Sequence, residues 1–240
     1  AMPPELRTQI EPTKELVETL KLPLIEVDNY EADDIIGTLA RKAEKLGDID
    51  IVIATGDRDQ LQLVDERTVV DLFNPRGLEP TRYDLAKMKE KYGLTPQQFV
   101  DYKAIVGDAS DNIPGVKGVG DKGAQKLLAE YGTLDEIYRH VDEVPGKTGE
   151  YLRASHDIAF LSRTLSEIVC DMPLELDLDA ARIGQYNQEE VHKLFARFEF
   201  RTTLLSKLHE AHNGGKRQLE SVQKAVDDVQ KEGFTKPASQ

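Results

Sequence analysis

The stretch that decides the fold runs from residue 107 to 126 and reads GDASDNIPGVKGVGDKGAQK. Two carboxylates, Asp108 and Asp111, are followed at once by a turn punctuated by glycines. Glycine has no Cβ, so such a turn accepts positive φ angles and lets its backbone approach a phosphate closely. The stretch therefore predicts two helices joined by a turn that combines a metal site with a nucleic-acid site. The alternative is an ordinary helix–turn–helix loop without a ligand.

The charge of this turn differs from that of the whole chain. Residues 115–128 hold three lysines and one aspartate, whereas the 240-residue chain has a formal net charge of −13. An acidic chain does not coat nucleic acid non-specifically, so the contrast favours one localised phosphate site. The N-terminus of the predicted helix after Gly120 adds a partial positive charge at the same place.

Upstream of this stretch, short apolar runs alternate with helical patterns. The runs 22–27, 49–54 and 68–73 predict buried strands, and 31–45 predicts a helix between the first two. This alternation indicates a mostly parallel sheet covered by helices, with ligands beyond the carboxyl ends of the strands. Residues 3–21 predict an amphipathic helix that Pro12 interrupts near its middle.

Downstream, the pattern from about residue 75 to 201 is mainly helical. Thr95-Pro96 predicts a helix start, with threonine as N-cap and proline at the first helical position. The run 167–170 predicts one more strand. The predicted helices cover residues 81–92, 95–106, 121–131, 133–140, 148–165 and 187–198.

Seven acids fall at predicted strand ends or beside the glycine turn. Carboxylate oxygens are hard ligands that suit Mg²⁺ or Mn²⁺, and two such ions about 3.5–4 Å apart can activate water against a phosphodiester. Each cluster also has an ordinary explanation: a helix dipole for the first, a solvated turn for the second and a capping residue for Asp111. Their shared location favours the metal interpretation. The acids are Glu31, Asp33, Asp34, Asp57, Asp59, Asp108 and Asp111.

The remaining composition excludes several classes. With Cys170 as its single cysteine, the chain can form neither an internal disulfide nor a zinc site of several thiolates. Its apolar runs fall short of the ~20 residues that a membrane-spanning helix needs. We expect a cytoplasmic protein. The predicted organisation is an α/β core over 1–74, a helical domain over 75–208 that contains the 107–126 turn, and a linker or tail over 209–240.

Three motifs in order resemble one family: YEADDIIGTLA at 30–40, TGDRDQL at 55–61 and GDASDNIPGVKGVG at 107–120. They closely resemble the 5′→3′ exonuclease domain of bacterial DNA polymerase I, within the flap endonuclease superfamily, over about residues 3–208. The resemblance implies a PIN-like α/β core and a helix–three-turn–helix module that grips duplex DNA. It assigns catalytic roles to Glu31, Asp33, Asp34, Asp57 and Asp59, metal binding to these five with Asp108 and Asp111, and DNA binding to Gly115, Lys117, Gly118, Val119, Gly120 and Lys122.

The same resemblance implies an activity and its partners. The reaction would be hydrolysis of phosphodiesters near a 5′ end, flap, nick or RNA primer, in replication and repair. Two Mg²⁺ or Mn²⁺ ions would be the cofactors, with K⁺ at the carbonyls of the turn. We expect a monomer that works with a polymerase domain of the intact chain, near the bacterial nucleoid and without a membrane.

One departure from the family pattern is plain. Family members open with a strand that carries Asp-Gly and with a helical arch, whereas no Asp precedes Asp28 here. We therefore expect a truncated fragment whose sheet lacks a central strand. The alternative function is a duplex-DNA-binding module with an incomplete, inactive metal site. A third hypothesis is an acidic scaffold that binds Ca²⁺ structurally.

Overall fold

The computed structural model describes residues 3–74, 79–200, 204, 206–208 and 210. The chain divides into two compact units, one of residues 26–176 and the other of 1–25 with 177–240. The described helices and strands are, in order, α1 Pro4–Arg7, α2 Ile10–Thr19, α3 Ala32–Lys45, β1 Ile51–Thr55, β2 Thr68–Leu72, β3 Thr81–Tyr83, α4 Leu85–Tyr92, α5 Pro96–Val106, α6 Asp121–Tyr131, α7 Leu134–Arg139, α8 Gly146–Ala154, α9 His156–Ser166 and α10 Gln188–Arg197.

The sheet of the larger unit is small and mixed. Among the described residues it has three strands in the order β1-β2-β3, with β1 parallel and β3 antiparallel to β2. Val70 of β2 is fully buried, while Val52 of β1 is 53% exposed. The predicted α/β class, a sheet with flanking helices beside a helical part, is confirmed, and its third strand runs opposite to the parallel pair.

Helix α5 links the two cores of this unit. It packs against α6, α9 and a 3₁₀ turn at Asp59–Leu63. Thr95 and Gln98 form a capping box at its start, and Pro96 occupies the first turn as predicted, because the N–H groups there have no helical partner. Phe99 packs into the core beneath the sheet, whereas Ala104 and Ile105 pack among the helices. The helix thus carries side chains into both cores.

Several sequence predictions are wrong, and each has a local cause. Residues 22–27 form no strand, and Leu24 is 45% exposed. Residues 167–170 form no strand either, because the Val169 N–H donates to the Asp34 carboxylate rather than to a neighbouring strand. The predicted helix 81–92 begins as β3, and α4 starts only after the N-cap Asp84, which accepts the Lys87 N–H.

Two predicted long helices are each divided. The 148–165 helix is split at Ser155 into α8 and α9, and the 3–21 helix is split at residues 8–9 into α1 and α2. Pro12 does not interrupt α2. It lies in the first turn of that helix, where a missing N–H costs nothing.

The smaller unit is held by α2 and α10. The helices contact each other, and Arg197 forms an ion pair with Glu15. Asn187 caps α10 by accepting the N–H groups of Glu189 and Glu190, as its sequence predicts. The predicted tail 209–240 lies outside the described residues apart from Glu210. Within the part of the chain described, no helix has the length and hydropathy needed to cross a bilayer.

Candidate metal and nucleic-acid site

The first part of the site is the turn after β1. The Asp57 carboxylate accepts the Asp59 N–H at 2.9 Å, and the Thr55 hydroxyl accepts the Asp57 N–H at 3.0 Å. The chain then enters the 3₁₀ turn, which buries Leu61 and Leu63. These contacts leave Asp57 exposed and hold Asp59 half-buried at the carboxyl end of a parallel strand.

The second part is a tight hairpin after α5. Asp108 and Ile113 exchange backbone hydrogen bonds of 2.9 and 2.8 Å, and the Asp108 carboxylate also accepts the Ser110 N–H at 2.9 Å. Gly107 has φ +78°, and a Cβ there would lie 2.7 Å from the Ile113 carbonyl oxygen. Only glycine fits this start of the hairpin. The geometry fixes Asp108 and exposes Asp111.

These two parts meet. Asp59, Asp108 and Asp111 each offer one carboxylate oxygen, and the three oxygens lie within 4.8 Å of one another. Lys103 of α5, only 5% exposed, makes ion pairs with all three acids. The sequence prediction that strand-end acids and hairpin acids converge therefore holds for these three, and they come from separate segments of the chain.

The first acidic cluster approaches from the start of α3. Burial raises the pKa of Asp33, and the charges of the nearby Asp57, Asp59 and Glu31 raise it further. Glu31 and Asp34 form a capping box at the helix start, so their carboxylates also have the structural role that the sequence left open. The structure therefore brings Asp33 to the other acids, whereas Asp34 is engaged with its own helix and with Val169.

Burial sets the protonation tendencies of this group. Burial, followed by the surrounding carboxylates, raises the pKa of Asp59 in spite of a hydrogen bond from Lys103. The Ser110 hydroxyl and then Lys103 hold the pKa of Asp108 down to about 2. Burial opposes the charge on Lys103, but its hydrogen bonds to Asp59 and Asp108 prevail and raise its pKa. Asp108 and Lys103 are thus both charged at neutral pH.

A buried amide tests whether this group suits a cation. Gln60 is fully buried, and among the described residues neither polar atom of its side chain makes a hydrogen bond of normal geometry. It lies beside Asp33 and favours the charged form of that acid. An orphaned amide is costly unless something else engages it, such as a hydrated ion. Crowded oxygen ligands beside it fit a hydrated divalent cation.

The turn after the hairpin divides into a buried and an exposed part. Gly115 is buried, its N–H donates to the Ser162 hydroxyl at 3.2 Å, and Val119 belongs to the helical core. The other predicted DNA-binding residues, Lys117, Gly118, Gly120 and Lys122, are exposed. On one side of Gly118 the Tyr151 ring packs closely, so that a Cβ there would lie 2.5 Å from the ring. The Gly115 N–H is thus already engaged, while the exposed four remain accessible.

Sequence reasoning missed Lys103 and Gln60. A lysine inside a helix usually extends into solvent, and a glutamine in a short turn carries no signal for a site. The clue for Lys103 is its spacing: it lies four residues after buried Phe99, on the same face of α5, and five before Asp108. Nothing comparable in the sequence points to Gln60.

Comparison with known proteins identifies the family of this chain. The family described as "5'-3' exonuclease, N-terminal resolvase-like domain" matches residues 1–93, and "5'-3' exonuclease, C-terminal SAM fold" matches 94–189. DNA polymerase I of Caldicellulosiruptor bescii is 44% identical over 205 residues, which are 85% of this chain and 24% of that protein. DNA polymerase I of Bacillus subtilis is 38% identical over 241 residues, 99% of this chain and 27% of that protein. The chain thus spans about a quarter of the length of these relatives.

Solved structures show the same fold. A mutant T5 5′-exonuclease superposes with a TM-score of 0.59 at 26% identity, covering 80% of this chain and 74% of that one. The bacteriophage T5 D15 flap endonuclease, in a pseudo-enzyme-product complex with DNA and metal ions, gives 0.57 at 27%, covering 77% and 64%. The catalytic core of Rad2 with DNA substrate, at 18% identity and a TM-score of 0.53, covers 81% and 65% and shares the fold alone.

Proposed function

We propose that this chain, which belongs to the 5′-3′ exonuclease family, binds divalent metal at its cluster of carboxylates and hydrolyses phosphodiesters near the 5′ ends of DNA. The observation that carries the proposal is the convergence of Asp59, Asp108 and Asp111 within 4.8 Å. Acids that crowd in this way repel one another, and the single ammonium of Lys103 among them offsets only part of their combined charge. An exposed basic turn follows the same hairpin directly.

Two sets of acids would hold two ions. Asp33 and Asp57 form the set nearer α3, Asp108 and Asp111 form the set at the hairpin, and Asp59 lies between them. Glu31 and Asp34 border the first set. Mg²⁺ or Mn²⁺ suits these ligands, and when bound such ions lower the pKa of a bound water and stabilise the leaving oxygen of the phosphodiester.

The chain's own residues orient the reaction. Asp57 is exposed and held by its hydrogen bond to the Asp59 N–H, so its second oxygen is free to orient an attacking water. In the hydrolysis the water oxygen bonds to phosphorus and the P–O bond to the leaving sugar oxygen breaks. One proton of the water passes to that leaving oxygen. The products are a phosphomonoester and a free hydroxyl group.

The exposed turn would hold the duplex. Lys117 and Lys122 offer charge to phosphates, and the exposed backbone at Gly118 and Gly120 lies between them. We propose that K⁺ binds the carbonyls of this turn and bridges to a phosphate. The structure of the T5 flap endonuclease complex contains both DNA and metal ions, which supports the proposal that this chain also binds both.

The substrate would be duplex DNA with a 5′ flap, nick or RNA primer. We propose that the chain acts as a monomer beside a polymerase domain of the intact protein, near the bacterial nucleoid.

The test is cleavage of a labelled 5′-flap duplex with Mg²⁺ or Mn²⁺, with chelator as the negative control. We expect metal-dependent cleavage that Asp57→Ala reduces by at least about a hundredfold, whereas Glu66→Gln, a change at an exposed acid outside the site, leaves it unaltered. Cleavage that survives chelator or Asp57→Ala would contradict the proposal. Binding of the duplex without cleavage would instead support the alternative of a DNA-binding module.

A further inference from the structure

Lys103 occupies the space in which three carboxylates converge. Its ammonium makes a short hydrogen bond with Asp59, lies 2.9 Å from Asp108 Oδ2 and lies 3.9 Å from Asp111 Oδ2. The side chain is nearly inaccessible, with 7% of its surface exposed. The positive charge that the metal cluster needs is therefore already supplied by the chain.

A divalent ion and this ammonium cannot share the cluster as it stands. Mg²⁺ binds oxygens at about 2.0–2.1 Å, so an ion on Asp59 and Asp108 would take the position that the ammonium fills. Two cations so close would also repel each other strongly in a partly buried site. The lysine and the metal therefore compete for the same oxygens.

We infer that Lys103 is a resident cation that holds the Asp59, Asp108 and Asp111 cluster together without metal and must leave it before a divalent ion binds there. The inference rests on the proposed function, because it takes this cluster as a metal site. It makes Lys103 a positioning residue that decides when the second ion binds.

The two metal positions should therefore differ in their affinity for divalent ions. Within the described residues, neither Asp33 nor Asp57 forms an ion pair with a lysine or arginine, so that half of the group is open to metal. At the other position, the ion pair of Lys103 with Asp108 blocks access of metal to that carboxylate. The first ion therefore binds beside Asp33 and Asp57, and the second binds more weakly because it must displace an ion pair.

The displaced side chain has a place to go. A cavity of about 250 Å³ is lined by Lys103, Asp59 and Asp108 themselves, and its wall also includes Arg58 and Asp121. The four-carbon stem of lysine lets its ammonium turn into such a space. Beside Arg58 it would meet an anionic substrate, so substrate binding and uptake of the second ion would favour each other.

The experiment counts bound Mn²⁺ by electron paramagnetic resonance, without DNA, in the wild-type chain and in Lys103→Met. We expect the variant to bind the second Mn²⁺ at least about tenfold more tightly, because the competing charge is gone. Lys91→Met, which removes the same charge from an exposed position on α4, should behave as wild type.

An equal or weaker second affinity in folded Lys103→Met would overturn the inference and leave the nuclease proposal standing. Absence of Mn²⁺ binding in both proteins would overturn the metal site on which both depend. If Lys103→Met does not fold, a crystal structure of the wild type with Mn²⁺ decides: manganese on Asp108 with Lys103 moved away supports the inference, and manganese there with Lys103 still in place refutes it.

Discussion

Asp34 and Val169 are joined across 135 residues of sequence by a hydrogen bond in which the Asp34 carboxylate accepts the Val169 N–H at 2.9 Å. The other oxygen of Asp34 accepts the N–H of Glu31 at 3.2 Å and so closes the start of α3. One acid that the motif would assign to catalysis thus also ties the returning chain to the helix that carries it.

Asp34→Ala should therefore lower the free energy of unfolding in the absence of metal. A lost cap typically costs about 0.5–2 kcal/mol, and the unpaired Val169 N–H adds to that loss. Urea unfolding at pH 7 with chelator measures the change. Asp50→Ala, at an exposed acid, is the control. Equal midpoints for the two variants would mean that Asp34 has no structural role.

A second acid, Asp65, gives a pH-dependent prediction. Burial alone would raise its pKa, but the pKa is brought down to about 2 by pairing with the Glu44 carboxyl, whose own pKa is raised, by the N–H groups of Arg67 and Thr68, and by Arg41. A depressed folded-state pKa stabilises the protein above the unfolded value, near 4, and this stability is lost as pH falls toward 2. Asp65→Asn should thus cost on the order of 1–2 kcal/mol at pH 7.

The cost of Asp65→Asn should shrink as pH falls below about 4. Unfolding midpoints at several pH values between 7 and 3 provide the measurement. The neighbouring exposed Glu66→Gln is the matched control, and it should show no such trend. A difference between Asp65→Asn and wild type that stays constant down to pH 3 would contradict the assignment.

The two glycines at the ends of the turn should differ in how much stability they lose on substitution by alanine. Gly115 has φ +63°, and its Cβ would lie 2.4 Å from the Gly107 nitrogen, whereas Gly120 has φ −100° and nothing within 4 Å of its Cβ position. Gly115→Ala should cost more than about 2 kcal/mol, because left-handed strain adds to backbone overlap. Gly120→Ala should cost less than about 1 kcal/mol. Thermal unfolding of the two variants makes the comparison, and similar losses would show that the hairpin is looser than described.

The exposed lysines of the turn should govern salt-dependent DNA binding. Lys117→Ala with Lys122→Ala should reduce the slope of log K against log salt by about two, close to one for each phosphate that is no longer neutralised. The double variant Lys45→Ala and Lys91→Ala removes the same charge from exposed positions on α3 and α4. Fluorescence anisotropy with a labelled duplex at several salt concentrations gives the slopes. Equal slopes for both pairs would remove the turn from DNA binding.

Local sequence signals predicted much of this fold. Thr95-Pro96 marks the start of α5, and Asn187 marks that of α10, because caps and prolines act within one helical turn. Strand predictions failed where pairing decides. Residues 22–27 are apolar yet have no partner strand among the described residues, and β3 exists only because it pairs with β2. Apolar runs predict a preference for burial, and they do not reveal the partner.

The candidate site was likewise predictable from the sequence only in part. The motifs and their positions at strand ends predicted that Asp59 would lie near the hairpin acids Asp108 and Asp111, because the carboxyl ends of parallel strands meet at one edge of a sheet. The buried ion pairs of Lys103 depend on how α5 packs against the 3₁₀ turn. Such packing is decided by contacts distant in sequence. Likewise, the engagement of the Gly115 N–H with Ser162 follows from the position of α9.

The close contact of Gly107 with Gly115 has a consequence for where a strand would be cut. Asp111 and Lys117 are six residues apart, at most about 20 Å of chain, and the close packing of Gly115 on Gly107 fixes where the turn begins relative to the hairpin. A duplex phosphate held at Lys117 would therefore stand at a set distance from the bond beside Asp111. The hairpin would thus set the distance along the duplex between the bound phosphate and the cleaved bond, independently of base sequence.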